Sequence, residues 1–153
     1  MFSLNREEMG KKQAISLFFL GALAGILLNV LFALLGVTAG SEAFRETAEI
    51  QFSRSFAEGL FLYGVVAPIL EEVLFRLIAF GLLRKWLPFS AAMVVSALLF
   101  GVYHGNIVQA SYGFLMGMIL GFWMEKYGKL SAPILFHAGA NIGVWTFVYL
   151  LQK

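Results

Sequence analysis

Two adjacent glutamates, Glu71 and Glu72, are followed by Arg76 inside an otherwise apolar stretch, and the chain's two histidines each begin or end a four-residue step. His104 stands four residues after Phe100, and Asn141 stands four residues after His137. On a helix Glu72 and Arg76 share one face, glutamate first, which is the better order for an ion pair. Glu71 projects about 100° away from Glu72 and lies five residues from Arg76, so it pairs less readily. The glutamate without a cationic partner is the one able to exchange protons as general base or acid, while Arg76 keeps Glu72 ionised and in position. Asn141 is suited to bond a histidine or a developing oxyanion. A lone buried histidine has a bland alternative as a link between two helices. Two histidines, an asparagine, two glutamates and an arginine together predict a dispersed catalytic site, Glu71, Glu72, Arg76, His104, His137 and Asn141, assembled from three helices.

Composition says what those helices sit in. Of the 153 residues 60% are apolar and only 13% charged, with a mean hydropathy of +0.83. Soluble domains are nearer one-quarter charged, and such an apolar excess in water would leave large exposed patches. A membrane span takes about 20 residues, so the sequence predicts an all-α, polytopic membrane helix bundle of about five transmembrane helices, forming a single transmembrane domain over 1–153. Residues 1–12 are expected to form a cytoplasmic N-terminal segment, 13–37 the first span and 58–151 a catalytic-type helical core. Within that core the spans are placed at roughly Glu58–Leu83, Pro88–Gly105, Ile107–Met124 and Leu130–Leu151. Ala22-Leu23-Ala24 resembles a signal-peptidase site, but the apolar run continues to Val37, well past a signal h-region of about 7–15 residues. It is read as a first span. Between the first two spans, Phe44, Ala48, Phe52 and Phe56 recur every fourth residue in a polar stretch, predicting one apolar stripe on a surface helix or an extension of the second span.

Energetics constrain the polar groups. A charged side chain at mid-bilayer costs about 2.5–3.5 kcal/mol, so three unpaired charges in one span would cost on the order of 8–10 kcal/mol. Large apolar neighbours offset only about 0.3–0.6 kcal/mol each. The charges must therefore pair, neutralise or face a polar interior. Pro68, just before the glutamates, cannot donate to the Gly64 carbonyl, which predicts a kinked, opened helix where water can enter. Gly21 and Gly25, Gly101 and Gly105, Gly113, Gly117 and Gly121, and Gly139 and Gly143 fall four apart. Such faces let backbones approach closely in lipid, and packing within the chain is expected of them rather than dimerisation.

Basic residues set an orientation. With a cytoplasmic N-terminus, Arg6, Lys11, Lys12, Arg84, Lys85, Lys126 and Lys129 lie inside, and Arg45, Arg54 and Lys153 outside, a seven-to-three bias in the sense of the positive-inside rule. The C-terminus is then outside. Residue counting puts Glu71, Glu72 and Asn141 near mid-span with Arg76 and His137 nearer the cytoplasm, which favours access from that side. No basic stripe calls for nucleic acid, and the absence of cysteine excludes disulfides and thiolate metal sites.

Taken in order, Glu71-Glu72-Val73-Leu74-Phe75-Arg76, Phe100-Gly101-Val102-Tyr103-His104 and His137-Ala138-Gly139-Ala140-Asn141 resemble the signature of the CaaX protease and bacteriocin-processing family, also called the Abi or type II CaaX prenyl endopeptidase family. The likeness runs from Gly64 to the C-terminus. It implies an intramembrane endopeptidase of a prokaryotic cell membrane, with Glu71 activating water, His104 binding or polarising water or the oxyanion, and Glu72, Arg76, His137 and Asn141 completing the site. The implied partners are membrane lipid and a peptide or lipidated protein substrate. Eukaryotic members cut prenylated CaaX tails, and bacterial relatives are linked to peptide processing and bacteriocin self-immunity. The family usually carries more helices than five. No cofactor is expected. Glu71, His104 and His137 would be an acceptable zinc set, although the compact His-Glu-x-x-His helix is absent. Other readings are a non-catalytic immunity or scaffold protein, which keeps the polar cluster as structure, and an ion carrier, for which an inverted repeat is missing.

Overall fold

The computed structural model describes residues 8–152. Arg6 and Lys153, both counted for orientation, and most of the 1–12 segment lie outside the described residues. Six helices follow one another, with no strand among the described residues: α1 (Lys11–Leu34), α2 (Glu42–Phe52), α3 (56–83), α4 (Phe89–Tyr103), α5 (Ile107–Tyr127) and α6 (Ser131–Leu151). The five expected rods are present, and the polar stretch is a separate short helix, α2. Three rods, α1, α5 and α6, are each long and apolar enough to cross a membrane. By contrast α3 carries Glu58, Glu71, Glu72 and Arg76. α4 has 15 residues, about 22 Å at the helical rise, short of a hydrocarbon core of about 30 Å. It ends at Tyr103, which corrects the expectation that the third span carries His104 within it: His104 is the C-cap. Gly105, at φ +78°, takes a left-handed turn open to glycine, and Asn106 caps α5 by accepting the Gln109 N–H at 2.9 Å.

Glycines face inward and most leucines of α1 outward, as packing in lipid demands. In α1, Leu17, Gly21 and Gly25 are buried while Leu23, Leu27 and Leu31 are exposed. The glycine faces of α1 and α6 interlock reciprocally. A side chain on Gly21 would collide with the Phe136 carbonyl, and one on Gly139 with the Phe18 carbonyl. One step along, a Cβ on Gly25 would stand 2.8 Å from the Ala140 carbonyl oxygen and one on Gly143 2.9 Å from the Ala22 Cα. Gly113 and Gly117 receive α4 at Gly101 and Ala97 in the same way. Gly105 is the exception to the expected packing faces, being a turn residue. α3 lies between these two pairs, against α6 on one side and α4 on the other.

α3 is continuous but not uniformly α-helical. Leu62–Val66 and Val73–Phe80 are π-helical, and the glutamates lie on the α-helical turn between them, Ala67–Glu72. Such insertions concentrate at functional positions. The first is how the chain accommodates Pro68. The Ala67 N–H reaches back five residues to the Leu62 carbonyl, so the donor that proline lacks is missed by Tyr63, whose carbonyl is then free for another helix. The expected opening of α3 is thus a change of hydrogen-bond register.

At the opposite end, Arg84 closes the α3–α4 turn on α5. Its Nε donates to Glu125 Oε2 at 3.1 Å, Nη2 to Glu125 Oε1 at 2.8 Å, and Nη1 to the Leu87 carbonyl at 2.9 Å. Both side chains are partly covered, so this fork is stronger than an exposed pair. Arg84→Met is expected to cost about 1–2 kcal/mol of stability. Thermal unfolding in detergent checks this, and an unaltered midpoint would show that the fork is ornamental.

Candidate active site

The three motifs converge. Arg76 Nε stands 3.2 Å from Glu72 Oε2, and both side chains are completely buried. The other oxygen, Glu72 Oε1, accepts from His137 Nδ1 at 2.9 Å, joining α3 to α6. His137 Nε2 in turn lies 3.6 Å from Glu71 Oε2. A line Arg76–Glu72–His137–Glu71, its last step longer than a hydrogen bond, thus leads from the buried cation to the glutamate of the pair that is not fully enclosed. The division expected from helix geometry holds: Glu72 pairs with Arg76, and Glu71 does not. The ring of Phe100 supports the line, with the Arg76 guanidinium carbon 4.7 Å from its centroid and the His104 and His137 rings edge-on at 4.9 and 5.6 Å. Among the described residues, Arg76 Nη1 and Nη2 have no hydrogen-bond acceptor, so the aromatic face is what they meet.

Both imidazoles are fixed in the same tautomer. His104 Nδ1 lies 2.8 Å from the Phe100 carbonyl oxygen, which can only accept, so Nδ1 carries a proton. His137 Nδ1 likewise donates to Glu72 Oε1, the carboxylate whose other oxygen meets Arg76. Each histidine therefore keeps Nε2 for other work, His137 toward Glu71.

Glu71, His104, His137 and Asn141 line a single cavity of about 480 Å³, whereas Glu72 and Arg76 stand behind it. Glu71 is the only acidic side chain among the described lining residues. Of the two roles expected of Asn141, the bond to a histidine is not made. Its Nδ2 donates at 2.8 Å to the Tyr63 carbonyl, the acceptor that Pro68 and the π register leave free. The cavity occupies the end of the bundle formed by the C-terminal halves of α1 and α6 and the N-terminal half of α5. In the orientation expected from the basic residues that is the outer end, so that orientation and access from the cytoplasm do not hold together. Among the described residues no three His, Asp or Glu side chains stand close enough together to hold a metal ion.

Three contributors were not read from the sequence. Ser96, buried, donates to the Phe75 carbonyl at 2.9 Å and ties α4 to the second π stretch of α3. Trp145, also buried, donates to the Phe56 carbonyl at 3.1 Å and stacks on Phe52 at 4.7 Å, closing one wall of the cavity. Asn29 lines the cavity from α1. An asparagine amid the leucines of a first span was the available signal.

Comparison with known proteins agrees with the geometry. Residues 53–143 match the type II CAAX prenyl endopeptidase Rce1-like family. The chain is 27% identical over 152 residues to the proposed membrane peptidase YdiL of Bacillus subtilis (strain 168), covering 94% of this chain and 60% of that protein. It is 30% identical over 88 residues to the membrane-embedded CAAX protease MroQ of Staphylococcus aureus (strain USA300), covering 54% of this chain and 36% of that protein. The chain therefore spans less than two thirds of either relative's length. No solved structure matches it. The matched segment contains the glutamate pair, Arg76, both histidines and Asn141, and the chain belongs to the type II CAAX prenyl endopeptidase Rce1-like family.

Proposed function

We propose that this protein is an intramembrane endopeptidase that hydrolyses a peptide bond near the membrane with a glutamate-activated water and no metal. The observation that carries the reading is the cavity: one carboxylate, Glu71, faces it together with two imidazoles, His104 with Nε2 open to water or substrate and His137 with Nε2 turned toward Glu71. In this mechanism Glu71 takes a proton from water as its oxygen attacks the carbonyl carbon of the scissile bond. His104 accepts a hydrogen bond from the water at Nε2 or, as the imidazolium, donates from it to the developing oxyanion. The C–N bond then breaks, and the proton on Glu71 passes to the departing nitrogen, giving a carboxylate and an amine. His137, aimed by Glu72 and Arg76, presents Nε2 as an acceptor for the proton that Glu71 takes up. Asn141 has a second Nδ2 hydrogen on the cavity side for the oxyanion.

The substrates in this reading are membrane-associated peptides or lipidated proteins, CaaX-type prenylated tails among them, which agrees with the name of the Staphylococcus aureus relative. The protein acts in a prokaryotic cell membrane, with its N-terminus in the cytoplasm and its C-terminus outside. Cleavage of a farnesylated CaaX peptide and of a small unprenylated peptide library in liposomes tests the reaction. Cleavage by wild type is expected to resist chelators and to fall about 10²-fold in His104→Ala. Loss on chelation that zinc restores would replace the metal-free mechanism with a zinc-dependent one. If well-folded wild type cut nothing, and Glu71→Gln supported normal cellular function, a binding protein would be the better description.

A further inference from the structure

The segment that matches the family begins at residue 53, yet the cavity wall extends beyond it. Asn29, Phe32 and Ala33 of α1 face the cavity, one helical turn apart, opposite Gln109 and Tyr112 of α5. α1 is docked almost wholly on α6. It meets α5 through one edge-on ring pair, Phe32 with Tyr112, at 6.1 Å. Across this seam the polar groups lack partners. Among the described residues no hydrogen bond holds the Asn29 amide or the Tyr112 hydroxyl. Gln109 accepts from Asn106 Nδ2 at 2.7 Å through its oxygen alone, which leaves its own amide hydrogens unused. A polar side chain within a span normally has a partner or a function.

We propose that Asn29, facing Tyr112, is a binding subsite for the main chain of an extended peptide substrate beside its scissile bond. An extended segment brought into lipid carries unsatisfied N–H and C=O groups. A carboxamide answers both groups of one peptide unit, donating to the carbonyl and accepting from the N–H, and the tyrosine hydroxyl can serve the next. The flanking wall, Phe32, Ala33, Val108 and Met116, suits apolar side chains. In this arrangement the family core supplies the chemistry, and α1 supplies recognition. The subsite rests on the peptidase reading, and its test separates the two.

The probes are the farnesylated CaaX peptide and copies of it N-methylated at single main-chain nitrogens flanking the cut. Full-length wild type, Asn29→Leu and Tyr112→Phe are compared in nanodiscs, by steady-state cleavage and by fluorescence-anisotropy binding in a Glu71→Gln background. Asn29→Leu is expected to raise KM roughly 3- to 10-fold with kcat within about twofold. Wild type should lose a similar factor on one N-methylated peptide, and Asn29→Leu should no longer distinguish that peptide from its parent. Tyr112→Phe removes a single oxygen, so it carries the test if Asn29→Leu fails to fold. Cleavage by wild type with KM, binding and N-methyl discrimination unchanged in the folded variants would overturn the subsite and leave the peptidase standing. Binding that Asn29→Leu weakens, without cleavage by wild type, would uphold the subsite and overturn the peptidase. If wild type neither binds nor cuts, both are overturned.

Discussion

Glu71→Gln is expected to lower kcat/KM by about 10²–10⁴-fold, the range of a lost general base, while leaving the bundle's unfolding midpoint near that of wild type. Glu72→Gln, one residue on, is expected to do the reverse damage and lower the stability of the fold. Glu71 is partly open to the cavity, and its polar neighbour, His137 Nε2, is 3.6 Å away, beyond a good hydrogen bond. Glutamine fits there without stranding a buried charge. Glu72 has no exposure and neutralises an equally buried Arg76, so Glu72→Gln leaves the guanidinium inside the bundle without its ion-pair partner. Breaking a buried pair from one side costs about 3–5 kcal/mol, a large share of a typical stability of about 5–15 kcal/mol. Peptide cleavage and detergent melts on the two variants decide the matter. A Glu71→Gln protein that kept more than a tenth of wild-type kcat/KM would remove Glu71 from the base role, and a Glu72→Gln protein that melted normally would mean that Arg76 is neutralised otherwise.

The second large effect concerns glycine. Gly139→Val is expected to detach α1, with a destabilisation of about 3 kcal/mol, the upper end for overpacking. The new side chain would strike the Phe18 carbonyl, part of a backbone that has no rotamer with which to yield. Hydrogen exchange should then quicken in α1 while α4 and α5, held by their own glycine contacts at Gly101 and Gly117, stay protected. Gly81→Ala is the control, since the nearest atom to its Cβ is 3.9 Å away. Equal protection of α1 in Gly139→Val and wild type would show that this seam does not hold the helix.

Much of this was legible in the sequence because it is local or compositional. The Glu72–Arg76 pair needed only helical spacing, and the rods and their glycine faces needed only hydropathy and repeats of four. The remainder depends on partners far along the chain. Nothing near Asn141 announces that its amide will serve a carbonyl 78 residues earlier, because that carbonyl is free only once Pro68 and the π register have displaced its usual donor. The position of His104 turned on where α4 stops, and the left-handed Gly105 settles that by a turn rather than by hydropathy. Asn29 was overlooked since one amide in an apolar span is unremarkable until the opposite wall is known to be unsatisfied as well.

The bond from Asn141 to Tyr63 also bears on biosynthesis. α3 leaves the ribosome with a carbonyl that no later residue of its own helix can satisfy, and Glu72 leaves it without the imidazole that His137 will bring. Both needs are met by α6, which is translated after every other helix of the cavity wall. A nascent chain that has inserted α1 through α5 therefore holds its glutamates in an unfinished site. In the proposed mechanism the site is complete only once α6 has docked, so an incompletely translated or misassembled chain is expected to be inert toward neighbouring membrane proteins.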